Sequence, residues 1–165
     1  FQASVSSRDT LTVSGGDTLD FLFSANGSAT LRDISKVASG GELSRVMLSL
    51  KGLLARYTSL PTMIFDEIDT GVSGRIADKM GDMIGRMGER MQIFAITHLP
   101  QIASKRGAHY LVYKDFGQDG KACTGIRRLG EEERVMEVAR MLSGSELTAA
   151  AVENARVLLS KASKD

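Results

Sequence analysis

A single cysteine, Cys123, in 165 residues leaves no partner for an internal disulfide, and it points to a reducing compartment. No apolar run approaches the ~20 residues that a membrane-spanning helix needs, and no secretory leader is visible. Charge of one sign is also missing: 21 Lys and Arg face 20 Asp and Glu, a net +1, so the whole chain makes no electrostatic case for nucleic acid or an anionic membrane. Arg106, Lys105, Arg127 and Arg128 are candidate DNA contacts, but scattered surface charge is the better explanation of them. Nowhere is there a Gly-x-x-x-x-Gly-Lys-Ser/Thr loop. Repeats, long linkers and sustained heptads are absent too. What remains is an ordinary globular composition, 42% hydrophobic and 25% charged, in one expected domain spanning 1–165. The chain begins at Phe1 rather than Met, which suggests a piece of something longer.

The centre of the chain is Val37–Arg45. Ser39 followed by Glu42 has the capping-box spacing, and behind it Leu43, Val46, Met47, Leu50, Leu53, Leu54 and Tyr57 recur at helical intervals, which predicts one buried face. Gly40 and Gly41 leave bare amides beside the positive end of a helix dipole, a ready anion site. From this stretch alone, a plain cap and turn is an equally good reading.

Upstream, Leu11–Val13 and Thr18–Phe23 are strand-like, with Ser14-Gly15-Gly16-Asp17 as a hairpin turn between them, Asn26-Gly27 as another turn, and a short strand at Leu31–Ile34. Downstream, Pro61 precedes an apolar strand, Thr62–Phe65, that runs into Asp66-Glu67. Ser73 is placed to cap a helix with Ile76, Met80, Met83, Ile84 and Met87 on one face; the methionines suit a core better than a ligand box. Gly81, Gly85 and Gly88 weaken that helix and permit close packing. Met91–Ile96 is the next strand, ending in Thr97-His98, and Pro100 opens a short helix through Ala103. Ala108–Lys114 and Ala122–Leu129 form a predicted hairpin around residues 116–120, with a structural role for His109. Glu131-Glu132-Glu133 starts a helix rather than a metal site; its apolar face is Val135, Val138, Ala139 and Leu142. Leu147, Ala151, Ala155, Leu158 and Leu159 mark a last helix after a break at 143–145.

The middle of the chain thus alternates helix and strand, the βαβ pattern of a parallel sheet covered by helices. In such sheets ligands gather at the carboxyl ends of strands, where Asp66-Glu67 and His98 both fall. An apolar strand ending in Asp-Glu suits nucleotide hydrolysis: Asp66 to hold Mg²⁺, directly or through water, and Glu67 to orient and deprotonate the attacking water. His98 would hydrogen-bond the same phosphate or water. Singly each signal is weak.

Taken in order, these residues resemble the C-terminal half of an ABC-type ATPase head. Ser39-Gly40-Gly41-Glu42 resembles the signature motif, Met63–Glu67 the Walker B strand, Asp69-Thr70-Gly71-Val72 the D-loop, and His98 the switch histidine. Transporters usually carry Gln after the signature glycines and Pro after the Walker B Glu. Glu42 and Ile68 stand there instead, which is closer to the SMC-like chromosome and repair ATPases. The wider strings 36–47, 65–74 and 96–103 resemble bacterial double-strand-break repair members of that group, and the likeness runs from about Asp17 to the C-terminal helices. The resemblance implies an α/β fold: the C-terminal half of a P-loop head, mostly parallel sheet covered by helices, with flanking β-hairpins. It implies ATP and Mg²⁺ as ligands and a signature motif that acts in trans on ATP held by a second head. The expected partners are the N-terminal lobe of the same head, a second head forming a homodimer, and DNA through the full-length protein; the setting is cytoplasmic, at the nucleoid, with no membrane. Asp69 would lie at the seam. The missing phosphate-cradling loop and coiled coil make this chain the C-terminal lobe alone. As an isolated lobe it is expected to be inactive and to bind neither ATP nor Mg²⁺ tightly. The alternatives are a catalytically silent interaction module, or a head fragment from another SMC-type or transporter ATPase.

Overall fold

The computed structural model describes residues 1–24, 30–37, 40–57, 60–116, 120, 122–144 and 146–162. The turn expected at Asn26-Gly27, the residues Ala38 and Ser39, and most of the hairpin tip at 117–119 lie outside the described residues. The chain divides into two compact units, Phe1–Lys51 and Gly52–Asp165.

In the first unit, strand β1 (Gln2–Thr12) pairs antiparallel with β2 (Gly15–Phe23), from Gln2 opposite Leu22 to Thr12 opposite Gly15. The first strand is longer than the expected Leu11–Val13. Its polar residues make side-chain bridges to β2, with Ser7 Oγ donating to Asp17 (3.0 Å) and Arg8 Nε to Thr18 (2.7 Å). The turn sits at Val13-Ser14, and Gly15, at φ +103°, is already in the strand. A two-residue strand β3 (Arg32–Asp33) joins β2 and leads into a single helical turn, α1 (Ile34–Val37). The Ser35 hydroxyl (2.6 Å) and amide (2.9 Å) both donate to Asp33 Oδ1 and hold that carboxyl below its ordinary range.

Helix α2 (Gly40–Tyr57) starts in the first unit and ends in the second. Its periodicity is helical as expected, but the expected buried face is not buried. Leu43, Met47, Leu50, Leu53, Leu54 and Tyr57 are exposed, and the buried residues are Leu48 and Ala55. An apolar stripe marks a face that needs a cover; it does not say that this chain provides one.

The second unit holds a parallel pair, β4 (Thr62–Asp66) and β5 (Gln92–Ile96), in register from Thr62 opposite Gln92 to Asp66 opposite Ile96. The crossover is α3 (Gly74–Gly88), which packs on β5. Its buried residues Ala77, Met80, Gly81, Ile84 and Met87 recur at the i, i+3, i+4, i+7 interval. Ile76 is exposed, and Ala77 takes the place expected for it. Ser73 occupies the N-cap position, but its side chain makes no capping hydrogen bond. Helix α4 (Pro100–Ala103) crosses α3 at Gly81, where a Cβ would come within 2.9 Å of the Lys105 side chain and 3.2 Å of the Gln101 carbonyl. Lys105 Nζ spans the crossing to Asp78 (2.6 Å) and Asp82 (2.5 Å) on α3. Burial pulls the Lys105 ammonium down, and the two carboxylates outweigh it, leaving it above its ordinary range. Lys105 is therefore committed to the fold.

Strands β6 (Tyr110–Phe116) and β7 (Ala122–Arg128) form the expected hairpin, Tyr110 opposite Arg128 and Phe116 opposite Ala122. Helices α5 (Glu131–Ser143) and α6 (Ala149–Ala162) pack through Val135, Val138, Ala139, Ala151 and Ala155; Leu142, at the edge of that face, is exposed. Glu133 marks the helix start, accepting from the Gly130 amide (2.9 Å) and from Arg127 (2.5 Å), which lowers its pKa in that order of cause. Arg134 donates to the carbonyls of Ser104, Lys105 and Gly107 and so ties α5 to the end of α4.

His109 lies half-buried beside Arg134. Burial holds its imidazole below the ordinary range, Arg134 adds to the effect, and Glu137 opposes it. The unfolded chain, with an imidazole near about 6.5, therefore takes up the proton first as pH falls. This contribution weakens the fold from about pH 6.5 downward until His109 titrates in the folded state. Urea midpoints measured from about pH 7 to about pH 5 should fall less steeply in His109→Gln than in the parent chain.

Candidate functional site

The parallel register ends both core strands at one level. Asp66 is opposite Ile96, so Glu67 and Thr97 leave the sheet side by side at its carboxyl edge. Alternation along β4 gives the two faces different characters. Met63 and Phe65 are buried, whereas Ile64 on the other face is 65% exposed, and Phe94 and Ile96 beside it are exposed as well. Asp66, exposed, belongs to the Ile64 face. Parallel strands are normally covered on both faces. Here one face, apolar and ending in a carboxylate, is open.

Glu67 has φ +50°, left-handed backbone that a non-glycine side chain seldom adopts. It turns the chain off the strand. Its carbonyl accepts from the Thr70 amide (3.3 Å) and hydroxyl (2.9 Å), and the Val72 amide donates to the Asp69 carbonyl (3.1 Å). Two consecutive turns thus place Glu67 in the open and Asp69 inside. Asp69 is 1% exposed and lies among the second unit's core. Its Oδ2 accepts from the Thr97 hydroxyl, which in turn accepts from the Leu99 amide (3.0 Å). The other oxygen, Oδ1, has no hydrogen-bond partner among the described residues and lies 3.7 Å from His98 Nδ1. The His98 ring is outside, its side chain 72% exposed.

Asp66, Glu67, Asp69 and His98 therefore share one edge of one sheet. The Asp69 carboxylate is turned inward, whereas Thr70 and Gly71 on the same loop are exposed. Gly40, Gly41 and Glu42, expected to act as a signature motif, belong to the first unit. Gly40 opens α2 with open space where a Cβ would stand, the Ser44 hydroxyl donates to its carbonyl (2.9 Å), and Glu42 lies in the first turn. Ser39 lies outside the described residues. The sequence carried no signal for the Thr97–Asp69 bond beyond a lone hydroxyl between the strand and the histidine.

Asp66 suits Mg²⁺ in one respect: it is an exposed, acceptor-only carboxylate, and Mg²⁺ is commonly held by one or two carboxylates with phosphate and water oxygens completing the shell. No group of three His, Cys, Asp or Glu side chains suited to a metal forms among the described residues. No described helix is long and apolar enough to cross a membrane.

No protein-family profile matches the chain. Among curated proteins it is similar to DNA repair protein RecN of Bacillus subtilis, 41% identical over 152 residues, covering 92% of this chain and 26% of that protein. RecN of Vibrio cholerae is 41% identical over 145 residues (88% and 26%), and RecN of Rickettsia typhi 41% over 160 (96% and 28%). The chain thus spans about a quarter of the length of these relatives. Among solved structures, the Smc head domain of Pyrococcus yayanosii superposes with a TM-score of 0.63 at 22% identity, over 79% of this chain and 23% of that one. A chain from work on ATP-driven dimerization and DNA stimulated activation of SMC ATPases gives 0.56 at 17%, over 87% and 83%. The fold is that of the SMC head: a parallel sheet with helices and flanking antiparallel hairpins.

Proposed function

We propose, on the premise that this chain is a RecN-type segment of an SMC-like head, that it is the C-terminal lobe of an ATPase acting in DNA double-strand-break repair and recombination. The observation that carries the reading is the shared carboxyl edge of β4 and β5, which gathers Asp66, Glu67 and His98 beside an uncovered apolar face. The chain works as one lobe, 1–165. The N-terminal lobe of the same head covers Ile64, Phe94 and Ile96 and brings the phosphates of ATP to Asp66. Asp66 would hold Mg²⁺, whose charge would offset that of the phosphates. Glu67 takes the proton of the water that attacks the γ-phosphorus, and His98 contacts the same water or phosphate. On the first unit Ser39, Gly40, Gly41 and Glu42 meet ATP held by a second head. Thr70 and Gly71 line the seam of that homodimer, and DNA is engaged through the longer protein in the cytoplasm, at the nucleoid.

Ser39→Arg in a full-length RecN-type protein carrying this segment sets a long cation against the closing surface. It should abolish ATP-dependent dimerisation, followed by size-exclusion chromatography with light scattering. Unchanged dimerisation would remove the trans role from the signature motif. A second reading, a catalytically silent interaction module, rests on the absence of a phosphate loop in this sequence. Calorimetric titration of ATP–Mg²⁺ into the chain alone examines it: tight binding would contradict the reading of a silent fragment.

A further inference from the structure

Asp69 is the buried carboxylate in the second unit whose geometry is only half explained. One oxygen is taken by Thr97, and the other has no donor among the described residues although it is almost wholly removed from water. A buried carboxylate oxygen without a donor is unfavourable enough to demand a reason. The nearest candidate donor is the imidazole of His98, 3.7 Å away, just beyond hydrogen-bond length, on a ring that is mostly exposed and so has room to turn. The backbone on either side of that ring is held. Before it, the Thr97 hydroxyl donates to Asp69 and accepts from the Leu99 amide. After it, Leu99 N-caps α4 with Pro100 in the first turn, and its carbonyl accepts from Ile102 (3.1 Å) and Ala103 (3.0 Å).

We propose that Asp69 is the positioning residue for His98: its inward carboxylate accepts the Nδ1 proton of the imidazole, and Thr97 fixes that carboxylate, so that neutral His98 presents Nε2 outward as an acceptor. Which nitrogen of a histidine carries the proton is set by the bond the other nitrogen makes. This rests on the reading of His98 as part of an ATPase site, and it deepens that reading by naming the side chains that aim the ring.

The chain has two histidines, His98 and His109, so long-range ¹H–¹⁵N spectra of the imidazole nitrogens resolve the question directly in this protein. At neutral pH the His98 ring should be chiefly the Nδ1–H tautomer. Asp69→Asn should move it toward Nε2–H while leaving the His109 signals unchanged. Thr97→Val should shift it the same way and Thr97→Ser restore it, which keeps the test open if Asp69→Asn folds poorly. A parent chain with His98 as Nε2–H, or an Asp69→Asn spectrum identical to the parent's, overturns the proposal. In a full-length RecN-type protein Asp69→Asn should lower kcat on the order of 10–100-fold with little change in KM for ATP. Combined with His98→Ala it should add nothing to His98→Ala alone; an additive loss contradicts action through His98. If His98→Ala alone leaves turnover intact, the catalytic reading of His98 fails, and the tautomer result still decides the geometry.

Discussion

Glu67→Gln, introduced into a full-length RecN-type protein carrying this segment, should keep ATP binding and ATP-dependent head association while losing steady-state hydrolysis by about 10²–10⁴-fold, the usual contribution of a positioned general base. The substitution is chosen on structural grounds. Glu67 sits in left-handed backbone at φ +50°, and its carbonyl anchors the turn through Thr70. A β-branched replacement would disturb that backbone as well as the chemistry. Glutamine keeps the length and the hydrogen-bonding shape and removes only the capacity to accept a proton. Turnover is read by phosphate release and association by light scattering with and without ATP. Normal steady-state hydrolysis would take the base role away from Glu67. Loss of association along with hydrolysis would show that its carboxylate serves binding instead.

Phe65→Ala should destabilise the chain by about 3–5 kcal/mol, the usual result of emptying a large aromatic site in a core. Phe65 is 2% exposed on the inward face of β4, one residue before Asp66. Against a total stability of about 5–15 kcal/mol for a domain, such a loss is a large share of the whole. It is measured as a fall in the urea midpoint at constant slope. Ile64→Ala, one residue earlier on the open face, is the matched control. In the isolated chain it should change stability by within about 0.5 kcal/mol, the range of surface substitutions. A fall at Ile64 comparable to that at Phe65 would mean that the outer face of β4 is covered within this chain.

The order of elements in the second unit was legible because local chemistry marks it. Pro61 and the apolar run after it define β4, Pro100 opens α4, and the recurrence of Met80, Ile84 and Met87 defines the inner side of α3. The placing of Asp66, Glu67 and His98 at one edge followed from the βαβ pattern, because parallel strands have their carboxyl ends on the same side. Other features were hidden. The length of β1 rests on cross-strand polar pairs such as Ser7–Asp17, and these have no period along one strand. The apolar stripe of α2 announced a buried face, but burial belongs to a pair of surfaces and the sequence shows one of them. The inward turn of Asp69 depends on the left-handed Glu67 and on Thr97, 28 residues away. Lys105 looked like a surface cation because its partners Asp78 and Asp82 lie on another helix.

The open face of β4 and β5 has a thermal consequence. Ile64, Phe94 and Ile96 are hydrated apolar area of the kind whose removal from water lowers heat capacity. If a partner covers this face, the association would carry a negative heat-capacity change, so its enthalpy would grow more favourable on warming. Cooling weakens such a joint. A head assembled from two lobes across this surface would loosen first at its internal seam in the cold, while the helices of each lobe remained folded.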